Sequence, residues 1–171
     1  MLKYIGAITV VFCCALMGIK AAGEYRARTR CLRGLIGALE LMREEISCML
    51  TPMPELLEII CKQYTGPVAN LFKICLESMS KDYGKGFSEA WNTALSLSQG
   101  LHLYTDETET LRALAPHLGR YDGDGQAKAL SRAACYLSTK LDTAEREKSS
   151  NSRICTAIGV GGGIMLAIIL I

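Results

Sequence analysis

The stretch Leu32–Leu50, LRGLIGALELMREEISCML, indicates the fold because its apolar residues recur at intervals of three and four. This spacing places them on one face of an α-helix, and such a face is normally buried against other elements. The apolar stripe consists of Leu32, Leu35, Ile36, Leu39, Met42, Ile46, Met49 and Leu50. No proline occurs upstream of Thr51, so the helix is predicted to extend back toward Met1 and to end at Thr51–Pro54.

The same periodicity continues downstream and predicts five more helices, whereas no sustained alternation of apolar and polar residues indicates a strand. The fifth helix is expected to open with a D-x-x-E signal and to stop at Gly119. Six helices joined by short loops predict an all-α bundle over residues 24–153. The expected starts of the last five are near Glu55, Pro67, Phe87, Asp106 and Asp124.

Charge is missing from both ends of the chain, since residues 4–19 and 154–171 contain no Asp, Glu, Lys or Arg. Both runs are apolar and near the length that crosses a bilayer. We therefore predict an N-terminal transmembrane helix in residues 1–23 and a C-terminal one in residues 154–171. A cleaved signal peptide is the alternative for the first run. In the second, Gly159 and Gly163 form a GxxxG pair, which lets another membrane helix approach closely.

Basic residues follow the first apolar run, with Glu24 as the one acid among them. By the positive-inside rule, this places the helical domain in the cytoplasm. The whole chain has 19 basic and 17 acidic residues, so no global field favours nucleic acid. The basic side chains that follow the first apolar run lie beside a predicted membrane helix and are expected to contact lipid headgroups. They are Lys20, Arg26, Arg28, Arg30 and Arg33.

No residue pattern predicts catalysis, a metal or a cofactor. The eight cysteines include no C-x-x-C pair, and Cys48, Cys61 and Cys75 are expected to pack as small apolar side chains. His102 and His117 lack a nucleophile at motif spacing and are expected at the surface near helix ends. The segment 122–126 opens like a calcium loop but has alanine where the sixth glycine and the twelfth carboxylate belong. Its aspartates, Asp122 or Asp124, are instead expected to cap a helix.

Several segments together carry a resemblance to a known family. LGRYD at 118–122 and the later Gln126 form an L-G-R-x-D-x-x-x-Q pattern, and GFSEAW lies at 86–91. MLKYIG begins the chain, and a glycine-rich apolar segment ends it. In this order, over essentially the whole length, the chain resembles the stage III sporulation protein AB family of endospore-forming Firmicutes.

The resemblance implies a helical domain similar to the F domain of type II secretion platform proteins, which are not enzymes. It implies a component of the channel complex between mother cell and forespore, held by two spans on the mother-cell side. The implied partners are a cytoplasmic secretion-type ATPase (protein AA of the same set) and other membrane components. With one such domain, a platform would need self-association, with Gly159 and Gly163 as candidates. The alternatives are a small membrane pore or transport subunit and a generic membrane-anchored helical adaptor.

The motif residues Leu118, Gly119, Arg120, Asp122 and Gln126 are the candidate interaction site. One interpretation is structural: Gly119 permits a sharp turn, Arg120 pairs with a neighbour and Gln126 bonds the turn backbone. The other is direct contact with a partner protein. Capping chemistry favours the first, and both stay open at this point.

The predicted orientation is testable in sporulating cells. A topology reporter inserted near Trp91 should report a cytoplasmic position, because the basic residues follow the first span. Paired reporters, one active only inside and one only outside the cytoplasm, provide the measurement and its control. A non-cytoplasmic signal would remove any mechanism that requires docking of a cytoplasmic ATPase.

Overall fold

In the computed structural model, the backbone is described for residues 2–49, 51–81, 86–119 and 122–170. Side chains are described for residues 23–49, 51–80, 86–119 and 122–147. All regular structure in these ranges is helical, which confirms the all-α prediction. The helices are α1 (Leu2–Glu44), α2 (Met53–Gln63), α3 (Gly66–Lys81), α4 (Phe87–Leu97), α5 (Thr105–Arg112) and α6 (Gly123–Leu170), with a π-helical turn at Glu45–Met49.

The chain divides into two compact units, one formed by residues 30–141 and the other by residues 1–29 with 142–171. The first unit contains α2 to α5 with the adjoining parts of α1 and α6. Where side chains are described, no helix is long and apolar enough to cross a membrane. The two predicted spans, residues 1–23 and 154–171, lie outside those ranges except for Gly23, and they remain predictions. The α6 backbone is helical through residues 149–152, between the bundle and the second predicted span.

The apolar stripe of α1 is mostly buried as predicted, with Ile36 partly exposed. Leu32, Leu35, Leu39 and Met42 have no exposed surface, whereas Met49 is 72% exposed. The π-helical turn accounts for this difference. Glu45–Met49 takes more residues per turn than an α-helix, which rotates Met49 away from the buried face. Just after the turn, the Thr51 hydroxyl donates to the Glu45 carboxylate at 2.6 Å.

Small residues allow α1 to pack closely against its neighbours. A Cβ atom on Gly37 would lie 2.6 Å from the Tyr64 hydroxyl oxygen, at the link between α2 and α3. Any other residue at position 37 would therefore require the Tyr64 hydroxyl to move. At Gly34, a Cβ atom would lie 3.1 Å from Val68 of α3. The α3 helix also packs against α2 and α4, which makes it a central helix of the unit.

An aromatic cluster around Trp91 occupies the core of this unit. Trp91 and Phe72 have no exposed surface, and Phe87 is almost fully buried. The Trp91 ring lies 5.6 Å from the Phe72 ring and 5.8 Å from the Phe87 ring, centroid to centroid. These separations are typical of favourable aromatic pairs. The indole Nε1–H donates to the Leu111 carbonyl oxygen at 2.7 Å, so the polar edge of this buried ring is satisfied.

The fifth helix is shorter than the sequence predicts, because α5 ends at Arg112 and not at Gly119. Pro116 explains the early end: it has no N–H for the Arg112 carbonyl, and its ring would clash there in a continuing helix. The chain instead tightens into turns, in which Leu114 N–H donates to Leu111 and Ala115 N–H to Arg112. The start of α5 also differs from the prediction, since the helix begins at Thr105 and not at Asp106.

The residue that stabilises the start of α5 is Glu107. Its carboxylate accepts from the Tyr104 backbone N–H at 2.8 Å, as the third helical residue does in a capping box. Glu107 has no exposed surface, whereas Asp106 is exposed and Glu109 pairs with Arg112. The sequence signal therefore identified the correct turn but the wrong carboxylate.

Replacing Trp91 tests the central position of its ring. Trp91→Phe removes the Nε1–H donor and part of a fully buried ring, so the free energy of unfolding should fall by about 1–3 kcal/mol. Urea unfolding followed by circular dichroism measures this change. The control is Leu97→Ala, where the side chain is 60% exposed and the change should stay within about 0.5 kcal/mol. Equal midpoints for wild type and Trp91→Phe would contradict the assignment.

Candidate functional site

The predicted motif forms the junction between the turn that follows α5 and the start of α6. Leu118 is 3% exposed and anchors the turn in the core. Gly119 has a backbone φ of +77°, in the left-handed region that glycine adopts without a steric penalty. A Cβ atom there would lie 3.0 Å from the Cβ of Phe87. Gly119 is therefore required both by its backbone conformation and by its closeness to the aromatic cluster.

Two polar side chains complete this junction. The buried Gln126 accepts with its Oε1 from the Gly119 N–H at 3.2 Å, which is the expected bond to the turn backbone. Asp122 caps α6, because its Oδ1 accepts from the Gly125 N–H at 3.0 Å. The structure thus brings together Leu118, Gly119, Asp122 and Gln126. Arg120 lies outside the described residues.

The other predicted positions are distributed differently. Arg26, Arg30 and Arg33 are exposed, as contact with lipid headgroups requires, but Arg28 is only 7% exposed and has little surface to offer. The side chain of Lys20 and both glycines of the GxxxG pair lie outside the described side chains. The membrane roles of these residues remain predictions.

Cysteine and histidine show no sign of a reactive site in the described part of the chain. Cys75 is fully buried as expected, Cys61 is partly buried, and Cys48 is exposed, which corrects the packing role predicted for it. Burial raises the pKa of the Cys75 thiol to about 12, so it is protonated at neutral pH. His102 and His117 are exposed. Among the described residues, no group of three or more His, Cys, Asp or Glu could hold a metal ion.

A groove begins at this junction and runs along α6. Its volume is about 470 Å³, and it lies between one face of α6 and the residues of α5 and the following turn. Its floor is apolar, since Leu114 and Ala133 are almost completely buried. The α5 side contributes Thr110, Ala113, Leu114 and His117, and the α6 side Gly125, Lys128, Ala129, Arg132, Ala133 and Tyr136.

Next to the groove residue Tyr136, an ion pair joins α5 to α6. Asp106 accepts from the Tyr136 hydroxyl at 2.9 Å and pairs with Lys140 at 2.5 Å. The hydrogen bond from Lys140, with that from Tyr136, lowers the pKa of Asp106 to about 2. Asp106 is consequently ionised at neutral pH and helps to hold the two helices together.

Sequence reasoning missed this groove. Its α6 residues recur at intervals of three and one, a helical face that contains Lys128 and Arg132 but no acid. The sequence alone shows this face of α6. It does not show that the face lies against the turn after α5, because that turn forms only where Pro116 ends α5 early.

The glycine requirement at the junction gives a direct test. Gly119→Ala should lower the free energy of unfolding by about 1–3 kcal/mol, because it places a side chain at positive φ and against Phe87. Thermal unfolding of the full chain measures the loss. Gly123→Ala is the matched control in the same junction. A Cβ atom there meets only ordinary contacts, 3.9 Å from Ile46, so stability should be unchanged or slightly higher.

Comparison with known proteins agrees with the resemblance seen in the motif. The family model described as stage III sporulation protein AB matches residues 3–171. The stage III sporulation protein AB of Bacillus subtilis (strain 168) is 29% identical over 171 residues, covering 99% of both chains. A solved structure of a stage III sporulation protein AB (SpoIIIAB) superposes with a TM-score of 0.64 at 27% identity. It covers 72% of this chain and 98% of that one. On the match over residues 3–171, the chain belongs to the stage III sporulation protein AB family.

Proposed function

We propose that this protein is a non-enzymatic scaffold in the secretion-like channel complex between mother cell and forespore. Its helical domain docks a cytoplasmic secretion-type ATPase, and its apolar ends hold membrane partners. The observation that carries the proposal is the family match, which includes the helical domain and both apolar ends in one chain. A chain with this layout can transmit force or position between a soluble enzyme and a membrane assembly.

The chemistry of the described residues supports a binding role. The thiols of Cys31 and Cys75 are buried, and burial raises the pKa of each to about 12, so neither is a ready nucleophile. The motif side chains that are described make bonds within the junction: Gln126 to Gly119, and Asp122 to Gly125. These residues shape a rigid surface, which is what a docking protein needs.

Membrane attachment completes the proposed role. Residues 1–23 and 154–171 act as the two spans, and Arg26, Arg30 and Arg33 lie exposed at the cytoplasmic end of the first. Self-association through Gly159 and Gly163 would assemble several helical domains into a platform. The protein would then reside in the mother-cell membrane, with its helical domain facing the cytoplasm.

Co-purification with the sporulation ATPase tests the docking role. Full-length protein in detergent should retain the ATPase, and deletion of residues 118–126 should abolish retention. Because that deletion also removes the junction, Arg120→Ala provides the sharper comparison. An unchanged melting temperature with lost ATPase binding assigns Arg120 to partner contact, whereas lost stability assigns it to the junction. Wild-type protein that does not retain the ATPase would refute the proposed function.

A further inference from the structure

The groove between α6 and the turn after α5 has an unusual distribution of charge. Lys128 and Arg132 lie on its α6 wall and His117 lies on the opposite wall. All three are exposed, and none has an ion-pair or side-chain hydrogen-bond partner among the described residues. No carboxylate lines the groove. The lining of the groove therefore carries the positive charges of Lys128 and Arg132 without a carboxylate beside them.

The carboxylates of α5 are already engaged within the domain. Asp106 pairs with Lys140, Glu109 pairs with Arg112 at 2.6 Å, and the buried Glu107 bonds the Tyr104 N–H. The acidic side chains of α5 therefore do not face the groove without breaking one of these contacts. A partner with negative charge complements Lys128 and Arg132 better than α5 does.

The shape of the groove favours a helix over a small anion. Its α6 residues extend from Gly125 to Tyr136, which is roughly 16 Å at 1.5 Å per residue. Leu114 and Ala133 form an apolar floor between the charged walls, and the small side chains of Ala113 and Ala129 leave room above it. An amphipathic helix placed in such a groove buries its apolar face and keeps its charged residues at the rim.

A second cavity in the same unit provides a contrast. It lies between α1 and α6, has a volume of about 270 Å³, and contains both Glu40 and Arg43. Its charges are mixed, and it is the smaller of the two. It offers neither the net charge nor the length that recognition of a charged helix requires.

We infer that the groove binds an acidic amphipathic helix of a protein partner. Carboxylates of that helix pair with Lys128 and Arg132, and its apolar side chains pack against Ala113 and Ala129, whose methyl groups are accessible above the buried Leu114 and Ala133. This inference rests on the proposed function in one respect, namely that the acidic helix belongs to the docked ATPase. The charge and shape of the groove define the chemistry of the helix independently of that partner's identity.

Charge reversal separates the inference from the proposed function. The double variant Lys128→Glu/Arg132→Glu should weaken retention of the ATPase by the full-length protein at least about tenfold. Lys62→Glu/Lys73→Glu is the matched control, with the same change in net charge on exposed faces of α2 and α3. Retention by the control and loss in the groove variant support the inference. Equal retention by both variants overturns it while leaving the proposed function intact.

A second measurement does not depend on the ATPase. A labelled synthetic helix of about 15 residues, with glutamates on one face and leucines on the other, is titrated with full-length protein by fluorescence anisotropy. Wild-type protein should bind it more tightly than the same peptide carrying glutamine for glutamate. Ala113→Trp, which fills the groove, should reduce binding, and Leu97→Trp at an exposed site should not. Equal affinity for the acidic and neutral peptides overturns the inference.

The same variants also test whether lipid or a second copy of the chain occupies the groove. If the groove variant loses binding to phosphatidylglycerol vesicles but keeps the acidic peptide and the ATPase, the groove faces lipid and the inference is wrong. If it changes only the oligomeric state measured by sedimentation, a second copy occupies the groove, and the inference is again wrong. Unchanged circular dichroism and melting temperature show that each variant is folded, as expected for exposed side chains.

Discussion

The structure of residues 30–141 depends on the hydrogen bond from Trp91 Nε1–H to the Leu111 carbonyl oxygen. A fully buried indole must satisfy its N–H, since an unpaired one would cost about 1–3 kcal/mol. The bond joins α4 to the last turn of α5. The Leu111 carbonyl accepts the Leu114 N–H but has no α-helical partner four residues on, because the Ala115 N–H donates to Arg112 in the tighter turns before Pro116. The aromatic core and the end of α5 thereby position each other.

From this contact, a chain of neighbours leads to the candidate site. Trp91 stacks on Phe87, Phe87 lies against Gly119, and Gly119 donates its N–H to Gln126 of α6. Trp91, Phe87 and Gln126 are buried, and Gly119 has no room for a side chain beside Phe87. The core thus fixes where α6 starts relative to the turn after α5. That relation creates the groove whose walls carry His117, Lys128 and Arg132.

Much of the helical architecture was predictable because it is local. Apolar spacing identified the buried face of α1, and the glycine and proline breaks identified the starts of α3 and α4. The sequence left the cap of α6 open between Asp122 and Asp124, and the structure shows that Asp122 makes the capping bond. The errors arose where a competing local effect was overlooked. The π-helical turn exposed Met49, Pro116 shortened α5, and Glu107 has the capping position that was predicted for Glu109. Cys48 is exposed for the same reason as Met49, because it belongs to that turn.

The sequence by itself determined that the chain is helical, that both ends are uncharged and apolar, and, through its motif order, which family it belongs to. These properties depend on periodicity, composition and short-range order, which a linear pattern contains. Only the tertiary structure decided which helices face each other and which charges pair. Asp106 meets Lys140 across 34 positions, whereas Lys128 and Arg132 remain unpaired in the described residues. Such contacts depend on how helix faces pack together, and a pattern along one helix does not specify its partner.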